Sequence, residues 1–243
     1  MNNLGVLYYK KEEYSLALKE YREALKIRQR LAESNPDTFL PDMAETRNNL
    51  ANLYAARPKY GSALKEYENA LDIYRGLAEE NPGSFLPHIS LSLNNIGVRY
   101  TALKKYEPAL DKLKEALAIR KELAAINPKP FLRYVAQTHN NLANLYIAKE
   151  NFESAQKEYQ DALNIYRDLV NSDSKFFILE LVQILLNLSI FYLKNVPDKA
   201  KSIAYAQEAR DIFIPLCKQT PHLQGELDKA EQVLEANNTK PNA

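Results

Sequence analysis

The chain has 243 residues, 46% hydrophobic and 26% charged, a composition that supports a sizeable core in a globular protein. Lys and Arg number 32 against 31 Asp and Glu, a formal net charge of +1, so there is no general attraction for nucleic acid or an anionic membrane. The single Cys217 cannot close an internal disulfide, and a cytoplasmic location is the expectation.

Only 6 Gly accompany abundant Ala, Leu, Lys, Glu and Tyr, which favours an all-α fold. The first element opens on NNLGVLY at residues 2–8, and near-copies recur as NNLANLY at 48–54, NNIGVRY at 94–100 and NNLANLY at 140–146. Asn3, Asn49, Asn95, Asn141 and Asn187 are therefore 46 residues apart, as are Phe39, Phe85, Phe131 and Phe177. Residues 48–80 and 140–172 share 19 identities in 33 positions, too many for unrelated amphipathic helices. The chain is a stack of copies of one unit.

Within the second copy, Leu50, Ala51, Leu53 and Tyr54 have helical spacing, a break follows at 57–59, and Tyr60, Ala63, Leu64, Tyr67, Ala70, Leu71, Tyr74 and Leu77 continue it. Each copy is thus a pair of antiparallel helices. Pro58 and the KEN at 149–151 mark the turns, and Asn81, Pro82 and Gly83 mark the end of a second helix. Pro87, after Phe85 and Leu86, is expected in the first turn of the next helix.

Small residues recur in register: Gly5, Ala51, Gly97, Ala143 and Ser189 in first helices, and Ala17, Ala63, Ala109, Ala155 with Ala24, Ala70, Ala116, Ala162 in second helices. Side chains of about methyl size let two helix backbones cross closely. A Leu at Ala63 or Ala109 is expected to overpack the pair by about 1–3 kcal/mol. Tyr14, Tyr21, Tyr60, Tyr67, Tyr106 and Tyr159 follow the helical period and are expected in the core.

The spacing of Leu50, Ala51, Tyr54, Tyr60, Ala63, Tyr67 and Ala70 resembles the tetratricopeptide repeat (TPR), and the NNLAxLY opening of a long unit is similar to the extended repeats of kinesin light chains and of many bacterial TPR proteins. The resemblance implies a right-handed α-α superhelix of about five helix-turn-helix repeats with a C-terminal capping helix. Its expected divisions are 1–35, 42–80, 88–126, 134–172 and a degenerate 180–219, followed by a cap over 220–237 and a disordered tail over 238–243. The first copy looks truncated, because later copies place about six helical residues before the Asn pair that here begins at Asn2. A fragment of a longer protein, or an open end covered by something else, is the expectation.

Phe176 to Leu193 is the most apolar stretch, but Glu180, Gln183 and Asn187 interrupt it at helical spacing, so it reads as a buried repeat helix and not a membrane span. The fifth copy needs one extra residue near Val196 to bring Ser202, Ala206 and Ala209 onto the small positions, which leaves Pro215 inside its second helix to kink or shorten it.

In TPR proteins the first helices line a concave groove. By that resemblance the groove positions are Asn48, Asn49, Asn52, Asn94, Asn95, Val98, Thr101, Asn140, Asn141, Asn144 and Ile147, with Ala55 among them and apolar neighbours Leu91, Ile190 and Leu193. Amide side chains both donate and accept, so a row of them can pair with the backbone of an extended peptide. The opposing reading is that the amides tie neighbouring repeats together; the sequence leaves both open, with Asn48, Asn94 and Asn140 favoured for ligand contact. The positions where some TPR domains grip a C-terminal carboxylate with Lys and Arg hold Asn49, Leu91 and Asn95, or Asn95, Gln137 and Asn141, so acidic chaperone-tail peptides are not expected to bind.

No enzyme, cofactor or metal signature is expected. His88, His139 and His222 are far apart in the register, with none at i, i+4 from another, and His139 aligns with Arg47 and Leu93 as a variable position. Cys217 is expected to be an inert packed thiol. The function implied is a non-catalytic scaffold that binds a protein or peptide, with no nucleic acid or membrane. The alternatives are a ligand-sensing regulatory arm of a larger protein, and a self-association module that forms a homo-oligomer through its open N-terminal end.

Overall fold

The structure, a computed structural model, describes residues 2–172, 176–219 and 224–239. Among the described residues there are eleven helices and no strand: α1 (Asn2–Lys10), α2 (Tyr14–Ser34), α3 (Pro36–Ala56), α4 (Tyr60–Glu80), α5 (Pro82–Ala102), α6 (Tyr106–Ile126), α7 (Pro128–Ala148), α8 (Phe152–Ser172), α9 (Ile178–Lys194), α10 (Lys199–Gln219) and α11 (Gln224–Thr239). The chain forms two compact units, Met1–Ile126 with α1 to α6 and Asn127–Ala243 with α7 to α11. Within each unit, every helix packs on the next in the chain.

At the α2–α3 and α4–α5 junctions a single asparagine serves both helices. The N–H of Asn35 donates to Leu31 O at 2.9 Å and closes α2, while its side-chain oxygen accepts from Thr38 N at 3.3 Å and opens α3. Asn81 does the same between Leu77 O and Ser84 N, at 3.2 Å each. A side-chain acceptor on the third N–H of a helix is the standard N-cap bond. Asn127 makes no such bond, because the residue three positions on is Pro130, which has no N–H to donate.

The helices therefore begin at Pro36, Pro82 and Pro128, six residues before the expected starts at 42, 88 and 134, and the expected NPxxFLP connector is helical. Pro87 is not a first-turn proline: it lies inside α5, as Pro41 lies inside α3. Both sit close to the helix start, where the carbonyl opposed by the ring belongs to the first turn and can tilt aside. Pro215 likewise lies inside α10, which continues to Gln219.

Three of the turns inside the pairs use a left-handed residue. Glu12, Lys104 and Glu150 have φ of 60°, 58° and 56°, and the next N–H reaches back to Tyr8 O, Tyr100 O and Tyr146 O at 2.9 Å each. This is a Schellman closure with a charged residue where glycine is least strained.

Apolar faces meet around the small residues. Ala17, Tyr21, Leu50 and Leu53 form one cluster of the first unit, and Ala63, Tyr67, Ala70, Tyr74, Leu93 and Ile96 belong to another. Ala143, Ala155, Tyr159, Leu185, Phe191 and Phe213 represent the larger cluster of the second unit. The leucine, isoleucine and phenylalanine side chains contribute about 1.5–3 kcal/mol each when withdrawn from water. A Cβ on Gly97 would lie 2.6 Å from Leu113 Cγ and 3.2 Å from Ala109 O, and one on Gly5 would lie 2.6 Å from the Tyr21 ring. Ser202, Ala206 and Ala209 are fully buried, on the register that one extra residue requires.

The tyrosines divide by position. Tyr21, Tyr67 and Tyr159 are buried, whereas Tyr14, Tyr60 and Tyr106 are half-exposed, because each of these is the first residue of its helix and its ring lies at the end of the pair. The capping segment is α11, packed mainly on α10; residues 240–243 of the expected tail, and His222, lie outside the described residues. No helix among the described residues is long and apolar enough to cross a membrane.

Candidate functional site

The recurring asparagines on α3, α5, α7 and α9 occupy four kinds of place. Asn48 and Asn94 are buried, 7% and 3% exposed. Asn48 Oδ1 accepts from Ser92 Oγ at 3.3 Å, joining α3 to α5, and Asn94 Oδ1 accepts from Arg120 Nη1 at 3.4 Å, joining α5 to α6. These two amides are inside the stack, so the expectation that they meet a ligand gives way to their role as ties between helices. A buried amide must find partners within the protein.

A second group bonds along the stack in part-buried positions. Asn49 Nδ2 donates to Asn2 Oδ1 at 3.3 Å, and Asn187 Nδ2 donates to Asn140 Oδ1 at 2.8 Å. Asn2 in turn donates to Glu45 Oε1 at 3.5 Å. The third group holds tyrosine hydroxyls: Tyr159 OH donates to Asn144 Oδ1 at 2.6 Å, and Tyr67 OH donates to Asn52 Oδ1. In both, the phenol comes from the second helix of the same pair, and the amide NH2 of exposed Asn144 stays on the surface. Burial pushes the Tyr67 phenol up to about 12 and raises that of Tyr159 further, so both are hydroxyl donors across the physiological range.

Asn95 forms the fourth group. Half-buried, it makes no side-chain hydrogen bond among the described residues. Val98 and Thr101 lie one and two turns further along α5, both half-buried, and Thr101 Oγ1 returns its proton to Gly97 O at 3.0 Å. In the second unit Asn141 and Ile147 are half-buried on α7.

The same face of the second unit opens into a cleft of about 260 Å³ between α9 and α11. Its apolar lining is Leu186, Ile190 and Leu193 from α9 with Val233 and Ala236 from α11, and Gln183, Lys194 and Gln232 add polar groups. Leu186, Ile190 and Leu193 stand one repeat after Asn140, Asn144 and Ile147. A smaller recess of about 80 Å³ adjoins it, sharing Gln183 and reaching Gln137 and Asn140. The α9 side of the cleft was legible in the sequence as the apolar neighbours Ile190 and Leu193; the α11 side was not, because α11 lies outside the repeat register.

Two further recurring polar positions, one buried and one buried or half-buried, escaped the sequence reading as sets. Thr46, Ser92 and Thr138 are fully buried at one repeat position, and the 46-residue spacing would have revealed them. Arg28, Tyr74, Arg120 and Tyr166 share another position: Arg28 donates to Asp42 O at 2.7 Å and to Thr46 Oγ1, and Tyr166 OH reaches Arg133 O at 3.5 Å. His88 is exposed and stacks on Tyr74 with centroids 4.9 Å apart. His139 is buried, and its Nδ1 lies 2.6 Å from Glu158 Oε2. Cys217 is half-buried.

A profile described as Tetratricopeptide repeat matches residues 1–76 and 42–122, and one described as SHNi-TPR matches residues 136–173. No curated protein matches the sequence. Solved structures with a similar fold include BtubC (BKLC) from P. vanneervenii, at TM-score 0.62 and 20% identity, with 93% of each chain covered. The apo form of RapI gives 0.61 at 19% identity over 86% of this chain and 51% of that one, so the present chain spans about half of RapI. A Rap protein complexed with Competence and Sporulation Factor gives 0.61 at 19% identity, over 98% and 63% respectively. At these identities the likeness is one of fold.

Proposed function

Because the chain belongs to the tetratricopeptide repeat family, whose members are generally protein-interaction scaffolds, we propose that it is a non-catalytic module that captures a peptide segment of a protein partner on the open face of its first helices. The cleft between α9 and α11 carries this reading, because it offers an apolar floor of side-chain size with amides at its edge. In the second unit Asn141, Asn144 and Ile147 extend that face along α7, and Asn140 enters it at the small recess. In the first unit Asn95, with Asn49, Asn52, Val98 and Thr101, supplies a comparable run. Asn48 and Asn94 contribute by holding the helices in place. The Rap protein solved with Competence and Sporulation Factor is a precedent for this fold holding another molecule.

The test is selection of peptides from a random display library on the immobilised chain, followed by affinity measurement on Ile190→Glu and on Asn95→Ala. Peptides that bind the native chain and lose at least tenfold affinity to Ile190→Glu, with both proteins melting alike, support the cleft. Peptides insensitive to Ile190→Glu and Asn95→Ala, or no enrichment at all, remove the support for this face.

A second reading, self-association through the α1–α2 end, draws on a different observation. Leu4, Leu7, Leu16, Ile27 and Leu31 are each at least 40% exposed there, and Asn2, Ala24, Ile27, Leu31 and Phe39 line a cleft of about 250 Å³. Mass by light scattering that rises with concentration, and returns to the monomer in Leu7→Glu, is the expected result for that reading; a constant monomer mass excludes it.

A further inference from the structure

His139 on α7 and Glu158 and Asp161 on α8 place one imidazole nitrogen and two carboxylate oxygens within 4.8 Å of one another. We propose that these three residues form a binding site for a divalent transition-metal ion of the zinc class, bridging α7 and α8. The site is distinct from the peptide face and does not rest on that reading.

The argument begins with the same positions in the other repeats. In the second repeat they hold Arg47, Glu66 and Asn69, and Arg47 Nη1 meets Glu66 Oε2 at 2.7 Å, so one permanent cation balances one carboxylate. In the third they hold Leu93, Lys112 and Glu115, where Lys112 and Glu115 pair at 3.8 Å. The fourth repeat replaces Arg by His and Asn by Asp, leaving two carboxylates three residues apart on one helix beside an imidazole. Like charges at that helical spacing oppose each other.

Asp161 shows the imbalance: it makes no hydrogen bond or ion pair among the described residues, although its carboxylate is half-buried beside His139 and Glu158. His139 itself is 4% exposed and its ring is already held by the 2.6 Å contact to Glu158. One nitrogen and two oxygens from rigid helices suit zinc, which takes His nitrogen and carboxylate oxygen at about 2.0–2.2 Å and leaves a fourth position to water. Tetrahedral geometry then needs the donor atoms about 3.3 Å apart, so His139 and Glu158 must separate slightly while Asp161 closes in. Two carboxylates and a neutral imidazole match the charge of a dication.

The experiment is calorimetric titration of ZnCl2 into the tag-free full chain in metal-stripped, non-coordinating buffer near pH 7, with thermal melting in parallel and Co2+ visible absorption as a geometry readout. One equivalent of Zn2+ bound in the micromolar range, a higher melting temperature reversed by chelator, and tetrahedral Co2+ bands are expected. Asp161→Asn keeps the His139–Glu158 pair and should fold like the native chain yet bind Zn2+ at least tenfold more weakly; His139→Gln should lose the site altogether. Equal Zn2+ binding by the native chain and Asp161→Asn, or no heat and no melting shift at 100-fold excess Zn2+ over the chain, overturns the proposal.

Discussion

Ser189 and Ser202 donate to each other's backbone: Ser189 Oγ reaches Ser202 O at 2.6 Å, and Ser202 Oγ reaches Ser189 O at 3.0 Å, with both side chains fully buried. The equivalent helix crossings elsewhere pair Ala51 with Ala63 and Ala143 with Ala155, which have no polar atoms to satisfy. The last pair therefore clamps its helices by hydrogen bonds, and Asn237 of the capping helix extends the clamp by donating to Ser202 Oγ at 2.9 Å and to Val233 O at 2.8 Å.

Removing Ser202 Oγ leaves the buried Asn237 amide short of a partner, a loss of about 1–3 kcal/mol. Ser202→Ala should lower the melting temperature and speed hydrogen exchange in α11 before the rest of the chain. Unchanged exchange in α11 would show that the cap is held by its apolar face alone.

Gly97 has no room for a methyl group, since its Cβ would meet both the Leu113 side chain and the Ala109 carbonyl. Gly97→Ala should destabilise the first unit by about 1–3 kcal/mol in spite of the higher helix propensity of Ala. Chemical denaturation of the single variant and of Gly97→Ala with Leu113→Ala measures this. Leu113→Ala is costly by itself because Leu113 is fully buried, but in that background the added cost of Gly97→Ala should be smaller than in the native chain.

Lys104 occupies a left-handed position at φ 58°, where an L side chain costs about 1–2 kcal/mol relative to glycine. Lys104→Gly should leave the two closing hydrogen bonds of the α5–α6 turn intact and raise stability by up to about 1 kcal/mol. A lower midpoint in urea would contradict the turn assignment.

Burial pushes the phenols of Tyr21, Tyr67 and Tyr74 up to about 12, against 10 for a free phenol. The folded state thus holds these protons more tightly than the unfolded state. Their contribution is complete below pH 10, falls as the unfolded phenols ionise, and is lost once pH passes through about 12. With 16 Tyr and no Trp, absorbance at the tyrosinate band should show exposed phenols titrating first and the buried set only together with loss of helical circular dichroism. Buried tyrosines that ionise while the helices persist would refute the coupling.

The repeat, its 46-residue period and the helix pairs are local properties, and the sequence by itself determined them: Ala51, Ala63 and Ala70 must be small, and Leu50 and Tyr67 must be large, wherever the same crossing recurs. Helix boundaries were less legible, because Asn35 and Asn81 each end one helix and cap the next, and a single-residue junction beside proline reads as a loop. Only the tertiary structure decided the fate of the asparagines. Asn48, Asn52 and Asn95 carry the same side chain on one helix position or its neighbours, yet one is sealed against Ser92, one holds the Tyr67 hydroxyl, and one stays unbonded. Helical period places an amide on a face; whether that face meets water or a neighbouring helix depends on residues one repeat away. The same reason applies to His139, whose carboxylate company comes from α8, 19 and 22 positions later in the chain.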